Sequence, residues 1–379
     1  MQNKKALIAM SGGVDSSVAA WLMMNAGYDC TGATMQLHAE SDNKDDTAGA
    51  TMQLHAESGV CSLRDQRIYA TSATEDARAV ASRLGIPLYI LNFKDIFTEQ
   101  VIKRFISAYQ SGTTPNPCIF CNRHIKFGIL LQHAIDTGYG YIATGHYARV
   151  ERDSGRYLLK KGLDATKDQS YVLYMMTQEQ LAHTMFPLGG LTKLEVREIA
   201  HAQGLANARK RESQDICFIP DGDYARFIET HSSGGAPPQK GPITDAGGNI
   251  LGEHHGIYHY TIGQRKGLGA LASVTAPAPL YVCALHPENN TVVVGPHEKL
   301  FAKTLSARDI NLIAVDKLDA PLKIDAKIRY NQAGQPATVY QLGADILHIE
   351  FDSPQRAITK GQSVVLYDGD IVIGGGTID

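Results

Sequence analysis

The sequence predicts an α/β domain built on a parallel, helix-covered sheet, then a small central domain, then a β-barrel-like C-terminal domain. Three observations carry that prediction: strand–helix alternation over the first two hundred residues, a glycine-rich turn between the first strand and the first helix, and a late series of short β-branched runs. Residues 5–10 read as a short apolar strand that ends in Ser11-Gly12-Gly13. Residues 14–26 follow as a helix, with Gly27 as its C-terminal stop. A strand at 30–37, a helix at 74–84 stopped by Gly85, a strand at 87–92, helices at 98–109 and 125–137 and a strand at 141–144 continue the alternation. Between 229 and 256 the composition changes to serine, glycine and proline clusters with few apolar runs. Runs at 292–294, 326–330, 337–341, 346–351, 363–367 and 371–373 then predict an antiparallel sandwich or barrel. The expected domains are 1–223, 224–279 and 280–379.

A chain of 379 residues suggests two or three domains at roughly 100–200 residues each. With 44% apolar and 20% charged residues it has the balance of a globular protein with its own core. No apolar run approaches the ~18 residues of a membrane span, and the first ten residues do not resemble a secretory leader. A cytoplasmic location is therefore expected, with the six cysteines reduced by default and any disulfide transient. The net charge of −3 gives no general electrostatic pull on nucleic acid. Arg209-Lys210-Arg211 and Arg265-Lys266 are local basic clusters, and such clusters are usually solvated faces. The segment 32–41 recurs word for word at 49–58, which reads as a local tandem duplication, with the first copy in the second strand and the second in an enlarged loop.

Two motifs carry chemistry. Ser11-Gly12-Gly13-Val14-Asp15-Ser16 opens a helix directly after a strand, where free N–H groups and the helix dipole hold a phosphate and glycine lets the backbone come close. Asp15 would repel phosphate, so a share in holding Mg²⁺ is its expected role. Without Gly-Lys-Ser/Thr this is not a Walker loop. The hexapeptide resembles the signature of the PP-loop ATP pyrophosphatases, whose members split ATP between the α and β phosphates and adenylate an oxygen of their substrate. The second motif, Cys118-Ile-Phe-Cys121, follows Thr114-Pro115-Asn116-Pro117. Asn122 is the expected cap of a helix starting near Arg123, which would lower the pKa of a neighbouring thiol. Half of a zinc site, a redox pair, and one thiol working with the distant Cys217 are all open readings. Cys30, Cys61 and Cys283 read as small apolar core residues.

With those motifs, Ala143-Thr-Gly-His-Tyr-Ala-Arg149, Lys167-Asp-Gln-Ser-Tyr171, Glu212-Ser-Gln-Asp-Ile-Cys217 and Tyr260-Thr-Ile-Gly-Gln-Arg-Lys-Gly-Leu-Gly269 make the chain similar to the bacterial tRNA-specific 2-thiouridylases over nearly its whole length. The resemblance implies ATP-dependent thiolation of the wobble uridine of tRNA, with Cys121 as nucleophile and Cys217 as persulfide carrier. It assigns ATP contacts to Ala9, Met10, Ser11, Gly12, Gly13, Val14, Asp15, Ser16, Met35 and Gly145, and target-base contacts to Asn116, Pro117 and Cys118. The remaining tRNA contacts fall on His146, Lys167, Asp168, Gln169, Arg329, Tyr330 and Gln362. Expected partners are tRNA, a persulfide sulfur donor (a cysteine desulfurase or relay protein) and an external thiol reductant. The duplication leaves Met52 as an alternative to Met35. Cys118, where some relatives carry Asp, adds a third thiol, so an iron–sulfur cluster on Cys118, Cys121 and Cys217 is a less favoured alternative to the persulfide.

Overall fold

A computed structural model describes residues 4–37, 72–208, 210, 216–232, 239–269, 271 and 279–379. The second copy of the duplication, with Met52, and Cys61 lie outside the described residues. The first sheet is parallel, with β1 (Lys5–Ala9), β2 (Asp29–Gln36), β3 (Leu88–Asn92), β4 (Tyr141–Ala143) and β7 (Thr184–Met185) in the order β3-β2-β1-β4-β7. The chain runs outward from β1 to β3 and then returns to β1's other side at β4. Ligands of open α/β sheets bind at such a reversal, beyond the carboxyl ends of the strands. Alternation along β1 buries both faces. Ala6 and Ile8 join Val18, Ala19, Val80 and Val196 under the Val14–Asn25, Ser72–Leu84 and Lys193–Ala202 helices, while Leu7 joins Phe127, Leu130 and Ile142 on the opposite side.

Two helices differ from the sequence expectation. The first runs from Lys94 to Gln110 with π-type turns at Thr98–Ile102. The second starts at Pro117, eight residues before the predicted start, and continues to Asp136 through wide π-type turns at Cys121–Leu130. Its cap is Asn116, whose side chain accepts from the Cys118 N–H, with Pro117 in the first helical position. Proline is well placed there because that N–H would be unpaired in any case. Asn122 is therefore not a cap; it is buried inside the helix, where its amide donates to the Val172 carbonyl at 2.9 Å.

Beyond the first sheet, β5 (Ala148–Asp153) and β6 (Arg156–Lys161) form a hairpin. A four-stranded sheet follows in the order β10-β11-β8-β9, from β8 (Gly241–Thr244), β9 (Ile250–His254), β10 (Tyr281–His286) and β11 (Thr291–Gly295). The last two strands thus pair with the central segment although they lie beyond residue 280. The C-terminal strands are β12 (Phe301–Leu312), β13 (Leu322–Lys327), β14 (Gln335–Gly343), β15 (Ile346–Arg356), β16 (Ser363–Asp368) and β17 (Ile371–Ile378). They run β12-β15-β14-β13-β16-β17, and β12 pairs with β17 to close a six-stranded antiparallel barrel. Leu305, Val339, Ile349, Phe351, Val364 and Leu366 fill it.

The hairpin joins the barrel to the parallel-sheet domain, because Ile371 of β17 pairs with Lys160 of β6. Buried tyrosines extend the same contact: Tyr171 donates to the Ser363 carbonyl at 2.7 Å, and the Tyr174 hydroxyl lies 3.1 Å from the Ser363 hydroxyl. Gly375 of β17 leaves room for this packing. A Cβ there would stand 2.4 Å from the Val364 carbonyl oxygen and 2.8 Å from the Tyr174 ring. Gly375→Ala should therefore cost about 1–3 kcal/mol through overpacking. Chemical denaturation measures it, and an unchanged midpoint would show that the junction yields freely.

Candidate active site

The Ser11–Ser16 loop stands at the reversal of the sheet. Gly12 has φ +72°, a left-handed conformation suited to glycine, and a Cβ there would lie 2.4 Å from the Ala73 carbonyl oxygen. Gly13 precedes the Val14–Asn25 helix without a side-chain cap. Helix-start N–H groups left without an internal partner suit an anion. The loop is braced from within: Ser16 donates to the Gly13 carbonyl at 3.0 Å, and the Ser11 N–H donates to the Ser16 hydroxyl at 3.2 Å. Across the reversal, a Cβ on Gly145 would stand 2.7 Å from the Ser16 nitrogen. The two loops can approach only because residue 145 has no side chain. Ala9 and Met10 end β1, and Met35 lies near the carboxyl end of β2, half-buried opposite Leu91 of β3. These features fit a nucleotide whose phosphates rest on the loop.

Three residues that sequence reasoning did not single out hold this loop. Asp15 accepts from the Lys193 ammonium at 2.6 Å and the Tyr147 hydroxyl at 2.9 Å. The buried Asn207 amide donates to the Gly12 carbonyl at 3.1 Å and the Ser17 hydroxyl at 2.8 Å. Lys193 follows a capping box, Thr192 with Glu195, that was legible as a helix start, but its ion pair spans 178 residues and left no local trace. Among the described residues no group of three or more His, Cys, Asp or Glu side chains is arranged to hold a metal ion. Among the described residues, then, neither Mg²⁺ nor an iron–sulfur cluster meets three such side chains set to hold it.

The Pro117–Asp136 helix carries two thiols. Cys118 is exposed in its first turn, and Cys121 is buried in the next. Cys217 is exposed, yet close enough to Cys121 and Cys118 for their charges to affect its titration. The expectation of a lowered thiol pKa does not hold. Desolvation by the surrounding protein raises Cys118 and Cys121, and it pushes Cys217 up to about 12. Lys126, five positions beyond Cys121, is the cation that opposes this shift at all three. In an α-helix a residue five places on lies about 140° round from the first. The π-type turns reduce that offset and bring Lys126 toward the face of the thiols. Its ammonium also lies 3.3 Å from His146 Nε2, while His146 Nδ1 lies 2.7 Å from the Thr144 hydroxyl. Burial and Lys126 hold the His146 pKa well below its usual value, so this side chain is neutral at pH 7.

Most side chains expected to contact tRNA already have partners within the chain. Asp168 accepts from the Gly162 and Ser170 N–H groups, each at 3.1 Å, and from the Ser170 hydroxyl at 2.9 Å. Gln169 accepts from the Tyr147 N–H at 3.0 Å. The Arg329 guanidinium donates to the Ile262 and Ala357 carbonyls and the Thr359 hydroxyl, tying the barrel to the central segment. Gln362 donates to the Thr114 carbonyl at 2.8 Å, tying the barrel to the turn before Asn116 and Pro117. Tyr330 lies against Tyr171, close enough to Cys118 for its charge to be felt, and Lys167 sits in the loop beside Asp168. The barrel thus stands over the thiol helix.

Comparison with known proteins agrees with this architecture. Family models described as a tRNA methyl transferase HUP domain, PRC-barrel domain and aminomethyltransferase β-barrel domain match residues 4–221, 227–296 and 302–378. A protein of Clostridioides difficile named tRNA-specific 2-thiouridylase MnmA is 51% identical over 379 residues, covering 100% of this chain and 98% of its own. Proteins of the same name from Acetivibrio thermocellus and Moorella thermoacetica are 49% and 50% identical, covering 100% and 98% of this chain and 100% and 99% of their own. The domain descriptions mention methyl transfer and the full-length relatives mention thiolation; identity near one half along the entire chain gives the second more weight. The chain belongs to the tRNA-specific 2-thiouridylase family.

Proposed function

We propose that this protein replaces the C2 oxygen of the wobble uridine of tRNA with sulfur, using ATP bound at Ser11–Ser16 and sulfur carried as a persulfide on Cys217. The observation that carries the reading is an uncapped helix start at the reversal of one parallel sheet, linked through Gly145, His146 and Lys126 to the helix that bears Cys118 and Cys121, with Cys217 near both. The target base is turned out of its stack to reach this cleft, with Asn116, Pro117 and Cys118 beside it. The C2 oxygen attacks the α phosphorus of ATP and displaces pyrophosphate, converting a poor leaving group into AMP. Cys121 attacks Sγ of the Cys217 persulfide. The Cys121–Cys217 disulfide forms, and the terminal sulfur departs as sulfide, which attacks C2 and expels AMP. An external thiol then returns two electrons to the disulfide. Met35 faces the adenine, and Lys193 holds Asp15 in place until nucleotide binds.

The raised thiol pKa values have a purpose in this scheme. Thiols kept protonated in the free protein resist oxidation and stray alkylation, because the thiolate is the reactive form. Loop closure on tRNA then brings Cys121 and Cys217 to bonding distance.

Gly145→Ala should raise the KM for ATP at least tenfold and cost about 1–3 kcal/mol of stability, since the new methyl group would press on the Ser16 nitrogen and the Asp15 backbone. An unchanged KM would remove the phosphates from this loop. Cys121→Ser and Cys217→Ser should each abolish 2-thiouridine while ATP still binds. Cys118→Ser should leave partial activity; complete loss, together with loss of a brown anaerobic chromophore, would favour the cluster instead. In the free protein, iodoacetamide should modify Cys121 and Cys217 more slowly than free cysteine at pH 8. The rate should keep rising above pH 9, because a raised pKa moves thiolate formation to higher pH. Rates that level off below pH 8 would contradict the desolvation of these thiols.

A further inference from the structure

Beside the thiol cleft stand two ammonium groups that the scheme above does not use. Lys161 ends β6 and Lys327 ends β13, and both are half-buried. The Lys161 Nζ lies 4.4 Å from the centre of the Tyr367 ring, and the Lys327 Nζ lies 5.6 Å from both the Tyr171 and Tyr330 ring centres. Tyrosine faces attract cations, but they do not neutralise them. Among the described residues neither lysine forms an ion pair with a carboxylate: Lys161 donates to the Gly369 carbonyl at 2.8 Å, and Lys327 has only the two rings. Asp168 draws on Lys327 from a distance, with its oxygens already turned to Gly162 and Ser170. Asp168 and Lys161 are thus the charges that act on Lys327, one attracting and one repelling. The neighbouring Lys160 is a contrast, because Glu151 at 3.0 Å and Asp370 at 3.5 Å compensate it.

Half-burying two like charges near each other is unfavourable without an anion. Burial and the nearness of Lys161 both lower the Lys327 pKa, against the pull of Asp168, so an anion at this place would relieve the ammonium. The position bears on function. Tyr330, one of the two rings under Lys327, senses the charge of Cys118, so the pair sits on the barrel side of the thiol cleft. A polynucleotide presenting a base to Cys118 would bring flanking phosphates near Tyr330 and the ammonium above it.

We propose that Lys161 and Lys327, seated on Tyr171, Tyr330 and Tyr367, form a backbone-phosphate site for the tRNA beside the thiol cleft. The inference rests on the proposed tRNA thiolation. Each phosphate neutralised on a single strand contributes about 0.7 to the slope of log affinity against log salt.

The test is tRNA binding by the full-length protein across a potassium chloride series. Lys161→Met and Lys327→Met should each weaken binding and reduce the slope by about 0.7, and the double variant by about twice that. Lys160→Met should leave the slope unchanged. As a check that needs no variant, bound tRNA should shield Lys161 and Lys327, but not Lys160, from reductive methylation in the native protein. A wild-type slope retained in the folded double variant, or equal methylation with and without tRNA, overturns the site while leaving the thiolation reading intact. Absence of any salt-dependent tRNA binding by the wild-type protein overturns both.

Discussion

The approach of two backbones at the centre of the parallel sheet governs much of what lies around it. Gly145, just beyond β4, rests against Asp15 and Ser16 at the start of the first helix, so closely that a methyl group would be within 3 Å of the Ser16 nitrogen. That approach needs adjacent parallel strands and a missing side chain. Once made, it sets Gly145 against the uncapped start of the first helix and fixes where His146, the next residue, enters the protein. His146 meets Lys126, and Lys126 belongs to the helix that bears Cys118 and Cys121. One steric constraint thus relates the Ser11–Ser16 loop to the thiols through a single side-chain contact.

The remaining domains complete the site from above. The β5–β6 hairpin, the buried tyrosines 171 and 174, and the Gln362 amide hold the barrel over the thiol helix, and Arg329 joins the barrel to the central segment. Several residues that resemblance assigns to tRNA therefore have a second role. Arg329 and Gln362 build the surface on which RNA would rest, and contact with RNA would add to bonds they already make.

Much of this was legible in the sequence because it is local. The tight turn from β1 into the first helix follows from six contiguous residues, the parallel sheet from alternation, and the barrel from spaced β-branched runs. What was missed depends on distant partners. The hairpin at 148–161 has charged residues in both strands and stabilises itself by joining β17 far along the chain. Asn207 and Lys193 carry no motif; their partners lie 195 and 178 residues away. Asn122 is a favoured cap type after a proline-rich stretch, but Asn116-Pro117 is the stronger start signal, and the helix begins there. The thiol pKa values were misjudged for the same reason, since a helix start was credited to Cys121 and the enclosure of the cleft was not visible.

The central claim is that Cys121 and Cys217 act as a redox pair on one transferred sulfur. A single turnover without external thiol tests it most directly, with sulfur-loaded protein, ATP and unmodified tRNA, read by nucleoside analysis alongside peptide mass spectrometry. The account predicts one Cys121–Cys217 disulfide for each 2-thiouridine formed, with turnover stopping there until reductant is added. Continued 2-thiouridine formation with both thiols free would contradict it.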